Sequence, residues 1–574
     1  MSPTENKSLG FRLPIEYLES KEQVGENIKQ DLELDEFKDG RQGGLYGQML
    51  SVSTSLGKNC IEKWSEFYTT DVSFLKDSQV ILTKRTQPLE VYDINKIDTV
   101  EAIWNEIQDD ESFRHNFHYV EHGFAQQLNE SPMALEILSL YNLSSPVFSL
   151  LMPVFFLIIP FFILHFKGIQ ISVSKYIEVL QDILSKHAIG KLFTLTSDIS
   201  WEQRIYIIIS VIFYGYQVYQ NVLCCTSFYH RMKQMHDYIF DLKAFAEYTV
   251  SKMDGFCKDI EDLDSYSGFR KETLSQKEML CTMISEIESI TPFSHDMRKL
   301  CEIGHTMTIF YNLHVNQEYD QAMRYGMGFI GYLDNLSSMH SLLLRKQVAT
   351  CKFTKKKCRF SGAYYAPLCG TKPITNSYTL ESNLIITGPN ASGKTTMLKT
   401  TLFNVLLSQQ CGIGFYKKAS IRPFDMLHCY LNIPDTSARD SLFQAEARRC
   451  KEILDAVAAG GRKKRHFCIF DELYSGTNPY EAVASSHSLL EYLSGTSCTF
   501  LLTTHFIDLC HKLDGLDNVK NGQMKTHVKE DGSFVYDYTL GKGISEIKGG
   551  LNILKGLEYP DEIIDRAKDS LDSD

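Results

Sequence analysis

The chain has 574 residues, a formal charge of −12 and a pI near 5.8. That length leaves material for more than one core, and the acidic balance excludes nucleic-acid binding through overall charge, so any such contact needs a local patch. The 15 cysteines form no C-x-x-C pair and no regular spacing, which excludes a zinc ribbon or disulfide framework and fits a reduced, cytosol-facing chain.

Residues 1 to 140 read as mixed and mostly helical. The first 40 are polar and charged, without the apolar core of a cleavable signal peptide. "DSQVILTKRTQPLEVYDINKIDTVEAIWNEI" predicts a short β-piece, a turn and a helix opening at Asp98-Thr99. Pro146 to Phe166, "PVFSLLMPVFFLIIPFFILHF", carries His165 as its one ionisable group. As a helix it would reach about 31 Å, the thickness of a bilayer core. A second apolar stretch, Ile205 to Leu223, carries Gln217, Gln220 and Asn221. Together, within residues 141–225, they predict a transmembrane hairpin; the alternative is a buried helical pair in a soluble core. Pro146, Pro153 and Pro160 recur every seven residues, which membrane helices tolerate better than soluble ones. The loop from Lys167 to Arg204 holds five Lys and Arg residues, so the positive-inside rule would put it in the cytosol. Residues 226–345 give long helical patterns, such as Glu272 to Ile290 and Ala322 to Leu344. The basic clusters Lys355-Lys-Lys357 with Arg359, and Arg462-Lys-Lys-Arg465, lack interleaved aromatics and read as turns flanking strands.

Residues 346–574 carry the chemistry. The apolar strand Asn383 to Thr387 runs into Gly388, Pro389, Asn390, Ala391, Ser392, Gly393, Lys394, Thr395 and Thr396, and then into a helix to about Ser408. Strand, glycine-rich turn and helix aim backbone N–H groups and a positive helix end at a polyphosphate, with Lys394 on the β- and γ-phosphates and Thr395 on Mg²⁺. ATP is the expected ligand. ATP binding, however, requires this C-terminal domain in the cytosol; an even number of spans then leaves the Lys167 to Arg204 loop outside, the alternatives being an interfacial helix or re-entrant segments. Further on, cap-type residues from Asp435 through Ser441 precede a helix that continues to Gly460-Gly461. A second strand, His466 to Phe470, ends in Asp471-Glu472, a Mg²⁺ ligand and a group to orient the attacking water. A third, Cys498 to Thr503, ends in Thr504-His505, where a histidine can sense the γ-phosphate.

From about Phe360 to Lys568 the chain resembles the ATPase domain of the MutS family, the DNA mismatch-repair clamps, a branch of the ABC-type ATPases. "NLIITGPNASGKTTMLK", "DSLFQAE", "FCIFDELYSGTNPYEAVA", "LLTTHF" and the closing "YTLGKGISEIKGGLNILKGLEYPDEIIDRAK" stand in the family's order. The resemblance implies a dimer, homo- or heteromeric, whose ATPase domains close head to tail on ATP. It implies Asn390 on the γ-phosphate, Ser441 reaching the partner's γ-phosphate, and Tyr538 over the adenine. It also places Asn376 near the base, although the aromatic ring that the family carries just before it is absent from Pro373-Ile-Thr-Asn376. Residues 226–345 are similar to the family's lever and core helices, with the apolar hairpin inserted. The family's Phe-x-Glu mismatch wedge does not occur in residues 1–148, and Phe245-Ala-Glu247 reads as helix packing.

The expected architecture is thus an α/β P-loop ATPase domain of ABC/MutS type behind a mostly helical region with an apolar, transmembrane hairpin. Two functions follow. One is a mismatch-repair clamp on double-stranded or branched DNA. The other is a membrane-anchored, ATP-driven switch for a protein or membrane partner, without mismatch recognition. The first fits a soluble cytoplasmic or nuclear protein; the second fits a membrane protein whose ATPase domain faces the cytosol.

Overall fold

The computed structural model describes residues 10–37, 43–86, 94–121, 123–168, 172–186, 201–294, 299, 301–356, 358–431, 433, 441–529, 534–547, 554 and 559–572. They form two compact units, one of residues 99–248 and 278–323, the other of residues 1–98, 249–277 and 324–574.

The first unit is helical: α1 (Pro132–Phe166), α2 (Val173–Lys186), the first part of α3 (Trp201–Asp259) and α4 (Ile303–Val315). Ser131 caps α1, accepting from the Ala134 N–H, and Pro132 takes the first helical position, where a missing N–H costs nothing. The early turns of α1 pack closely on α4. Gly304 lies so near the Pro132 carbonyl that a Cβ there would stand 2.2 Å from it, and the Gly304 N–H donates to Glu136 at 2.7 Å. On α3, Phe228, Met232, Met235, Ile239 and Leu242 form a buried stripe at three- and four-residue spacing. Phe245 continues the burial, so Phe245-Ala-Glu247 is packing. Residues 146–166 all lie within α1 and residues 205–223 within α3, and most of the large apolar side chains described there are exposed, none of them being fully buried in a core.

In the second unit β1 (Lys21–Gln23) pairs antiparallel with β2 (Phe67–Thr69). A mixed five-stranded sheet holds β3 (Ala349–Phe353), β4 (Cys358–Ala363), β5 (Asn376–Leu380), β7 (Ile413–Gly414) and β8 (Lys418–Ile421) in the order β5-β4-β8-β3-β7. A six-stranded sheet holds β6 (Asn383–Thr387), β9 (Met426–Tyr430), β10 (His466–Asp471), β11 (Cys498–Thr503), β12 (Val519–Val528) and β13 (Phe534–Lys542), in the order β13-β12-β6-β11-β10-β9. It is parallel except for β13. Continuous burial along β6 and β10 is what a parallel sheet covered on both faces requires. The helices include α5 (Lys394–Cys411), α6 (Leu442–Gly460) and α7 (Pro479–Ser494).

Helix α5 is buried nearly all round, polar residues included. Gln409 donates to the carbonyls of Thr69 and Phe424 and accepts from the Phe424 N–H, while Gln410 donates to the Phe67 carbonyl. The buried amides thereby satisfy backbone groups that no strand partner reaches.

The N-terminal expectation needs correction. No strand stands in the described part of the stretch where the sequence predicts a short β-piece: Val72–Val80 is an α-helix and Ile81–Arg85 a wider π-type turn. The β-branched run Val80-Ile81 suggested a strand, but Asp71 accepts from the N–H groups of Ser73 and Phe74 and starts a helix that tertiary packing sustains. The following helix opens at Ile94, ahead of Asp98.

Candidate functional site

Register brings the site together. Asp471 pairs with Thr503, and Thr503 with Ile386, so β10, β11 and β6 end at one level. The residues just past those ends meet at the carboxyl edge of a parallel sheet, where α/β folds bind ligands.

At the end of β6 the chain turns through Gly388 to Gly393 and enters α5. Gly393 caps the helix at φ +93°, and a Cβ on it would stand 3.2 Å from the Tyr538 ring. Glycine is needed there for both reasons. At Gly388 a Cβ would come within 2.9 Å of the Ser392 hydroxyl. That hydroxyl is buried and has no hydrogen-bond partner among the described residues, beside a helix end whose first N–H groups point outward.

Lys394 is buried, its Nζ 2.9 Å from the Gly388 carbonyl, 3.4 Å from that of Pro389 and 3.0 Å from His505 Nε2. Burial lowers its pKa, and the nearby Glu472 and Asp471 carboxylates pull it back up. The Thr395 hydroxyl donates to Asp471 Oδ2 at 2.8 Å, and the Thr503 hydroxyl donates to Asp471 Oδ1. Glu472 sits at φ +50°, an uncommon backbone conformation for a side-chain-bearing residue, fixed by its N–H donating to the Thr503 carbonyl at 2.9 Å. Its Oε1 is 2.8 Å from His505 Nε2, a contact that chiefly holds the carboxyl below its usual range. The same nitrogen therefore faces both Glu472 and Lys394. Carrying a proton it donates to Glu472; bare, it accepts from Lys394.

A cavity of about 590 Å³ opens over this edge, lined among others by Asn390, Ser392, Thr395, Glu472, Met524 and Tyr538. Ala391, Gly393, Lys394, Thr396 and Asn376 also line it. The hydroxyl of Thr395 and the carboxylate of Asp471 are hard oxygen donors of the kind Mg²⁺ takes together with phosphate and water. Among the described residues no group of three or more His, Cys, Asp or Glu could form an all-protein metal cage.

Asn376 donates through Nδ2 to the Tyr538 carbonyl at 3.0 Å and accepts from the Leu540 N–H at 2.7 Å. It fastens β13 and holds Tyr538, itself at φ +52°, against the phosphate loop. Ser441 does not line the cavity. It is the exposed N-cap of α6 in a reciprocal capping box with Gln444. The predicted cap segment from Asp435 to Asp440 lies outside the described residues. Of the basic clusters, Arg465 lies 4.5 Å over the Phe424 ring and donates to the carbonyls of Arg422 and Pro423, and Lys464 pairs with Glu22. Those two side chains hold a turn rather than present free charge.

Glu446 was missed by sequence reasoning. Buried at 3% exposure, it accepts from the Ser475 N–H and hydroxyl and from the Gly476 N–H, each at 3.1 Å, tying α6 to the loop after β10. Its place one and a half turns past an N-cap, on the buried side of an amphipathic helix, was the available signal. Thr503 was likewise unmarked, an ordinary strand residue until register sets it beside Asp471.

Residues 384–573 match the profile of MutS domain V. Over 212 residues the chain is 33% identical to MutS protein homolog 4 of Mus musculus, an alignment covering 34% of this chain and 21% of that protein. Over 343 residues it is 25% identical to the DNA mismatch repair protein MutS of Staphylococcus haemolyticus, covering 57% of this chain and 37% of that protein. Residues 384–573 are thus a domain of the MutS family, divergent from these relatives. The chain spans from about a fifth to under two fifths of the length of these curated relatives. The longer alignment is too long to fit within residues 384–573, so the likeness to MutS extends beyond the domain V match.

Proposed function

We propose that this MutS-family chain is a Mg²⁺-dependent ATPase that works as a dimer on DNA, with ATP seated between Tyr538 and the loop Gly388 to Thr396. One observation carries the reading: three parallel strands end in register, and Lys394–Thr395, Asp471–Glu472 and His505 meet just beyond those ends. The backbone N–H groups at the start of α5 and the Lys394 ammonium bind the phosphates, and to do so Lys394 exchanges its contacts to the loop carbonyls and His505. Thr395 and Asp471 would hold Mg²⁺, which neutralises charge developing on the phosphates. Glu472 orients the attacking water and takes its proton, its depressed pKa keeping it ionised. His505, freed from Lys394, is positioned to donate to the terminal phosphate. Ser441, outside the lining of its own chain's cavity and exposed at a helix start, would serve the partner's site across a dimer of two such domains, identical or not.

Calorimetry with ATP and Mg²⁺, followed by turnover in Glu472→Gln, tests the site; absence of nucleotide binding would overturn it. Clamp activity on double-stranded or branched DNA rests on the family and predicts DNA affinity that falls steeply with salt. No DNA affinity at low salt would remove it.

A second reading, a membrane-anchored ATP switch with its ATPase domain in the cytosol, is favoured by one specific observation. Residues 146–166 and 205–223 present apolar side chains outward.

A further inference from the structure

The apolar stretches of α1 and α3 reverse the usual arrangement of a soluble helix pair. Phe155, Ile159, Phe162 and Ile163 on α1, and Ile209, Ile212, Phe213 and Tyr216 on α3, are all at least 38% exposed, with Phe213 at 70%. They surround the helices instead of lining one stripe, so a single partner helix or groove could not cover them. The polar groups face the other way. Tyr214, Val218, Asn221 and Cys225, spaced four, three and four residues apart, are the half-buried seam of α3. Tyr214 donates to the carbonyls of Ser149 and Leu150 at 3.1 Å, Asn221 Nδ2 donates to the Ser149 hydroxyl, and Cys225 Sγ reaches the Leu143 carbonyl at 3.4 Å.

Two of the prolines account for one of those donors, Tyr214, and for the Ser145 hydroxyl on α1 itself. Pro153 has no N–H for the carbonyl four residues back, that of Ser149, and Pro146 has none for that of Asn142. The Ser149 carbonyl is taken by Tyr214 from the facing helix, and the Asn142 carbonyl by the Ser145 hydroxyl at 3.1 Å. In water such carbonyls would be hydrated and need no protein donor. In hydrocarbon they must be satisfied within the protein.

We infer that residues 146–166 and 205–223 cross a lipid bilayer as a two-helix hairpin, both ends entering from the side of the helical unit, with Lys167 to Arg204 on the far side. The inference deepens the membrane-anchored reading and rests on it. The span of about 31 Å for the first segment and about 28 Å for the second matches the hydrocarbon core. The ends carry anchors. At the far side Trp201 is 78% exposed with the Arg204 guanidinium 5.6 Å over its ring, and at the near side His230, Arg231 and Lys233 follow the apolar run. On the far side α2 presents Val173, Ile177 and Val179, while its Tyr176 turns onto Phe161 of α1, ring centroids 4.8 Å apart, as a helix lying in the headgroup region would. His165 and Gln217 are exposed polar exceptions among the described residues.

The full chain, expressed and fractionated, tests this. Expected is retention in the membrane pellet after alkaline carbonate, and flotation of detergent-purified protein with phosphatidylcholine–phosphatidylglycerol vesicles. In vesicles with the ATPase unit outside, trypsin sites between Lys167 and Arg204 should be cut only after detergent is added. The double substitution I159D/F213D should release the protein from carbonate-washed membranes while ATP turnover in detergent stays within about twofold. Recovery of the unmodified chain in solution without detergent would overturn the inference, whether the hairpin is then covered by a second copy or by a co-purifying protein. So would cleavage of the far loop in sealed vesicles. ATP turnover, read in the same samples, separates failure of the membrane placement from failure of the nucleotide site.

Discussion

The unit that holds the six-stranded sheet and the apolar hairpin bury opposite chemistry. In the sheet, Phe470, Phe500 and Leu502 are sequestered between helices, and the polar residues are displaced to the strand ends where ligands arrive. In the hairpin, phenylalanine and isoleucine point outward, and Tyr214 and Asn221 are the groups turned in. The contrast teaches that apolar content alone does not reveal a core; what decides is which groups are left to satisfy the backbone.

Paired truncations break that comparison most directly. Phe500→Ala removes a fully buried ring and should cost about 3–5 kcal/mol by denaturant titration, whereas Phe213→Ala in detergent should stay within about 0.5 kcal/mol. Equal losses would mean that both rings lie in the same kind of core.

Next in size is a pH effect confined to the sheet. His428, midway along β9, and His466, at the start of β10, stack, with Nε2 of the first 3.0 Å from Nδ1 of the second. Burial, then its neighbour, takes His428 down to about 4, and burial lowers His466 as well. Between pH 6.5 and 4 the unfolded chain therefore binds protons that the folded one refuses, and stability falls as pH drops through that window, for His428 by at most about 3 kcal/mol. Unfolding midpoints measured at pH 7.5 and 5 should differ, and the difference should shrink in His428→Phe.

Glu472→Gln should leave ATP bound while turnover drops by about 10²-fold, close to 2.7 kcal/mol of barrier; unchanged turnover would refute its role. The smallest effect is expected at Ser441→Ala. Loss of the cap should cost about 1 kcal/mol, and hydrolysis should fall in the assembled dimer but not in an enforced monomer.

The phosphate loop, the acidic strand end and His505 were legible because each is a short local pattern whose chemistry needs particular residues at fixed spacing. The limits of β6 and β11 matched their apolar runs, and α5 ran three residues past its expected end to a glycine at φ +74°. The five-stranded sheet was not legible, since β7 has two residues and β8 four, too few for any periodicity. Nor was the helix at Val72 to Val80, where one aspartate cap outweighs a β-branched run. Glu446 reads as an ordinary charged helix residue until its three donors are seen, since partners 29 and 30 positions away leave no local trace.

Those three donors on one carboxylate make the amino end of α6 and the segment after the catalytic strand a single mechanical part. Gly476 reinforces the joint, as a Cβ there would stand 2.8 Å from Leu442 Cγ. A push on Ser441 is thus delivered to the backbone three residues beyond Glu472, so load at the rim of this unit reaches the edge of its cleft without passing through the core.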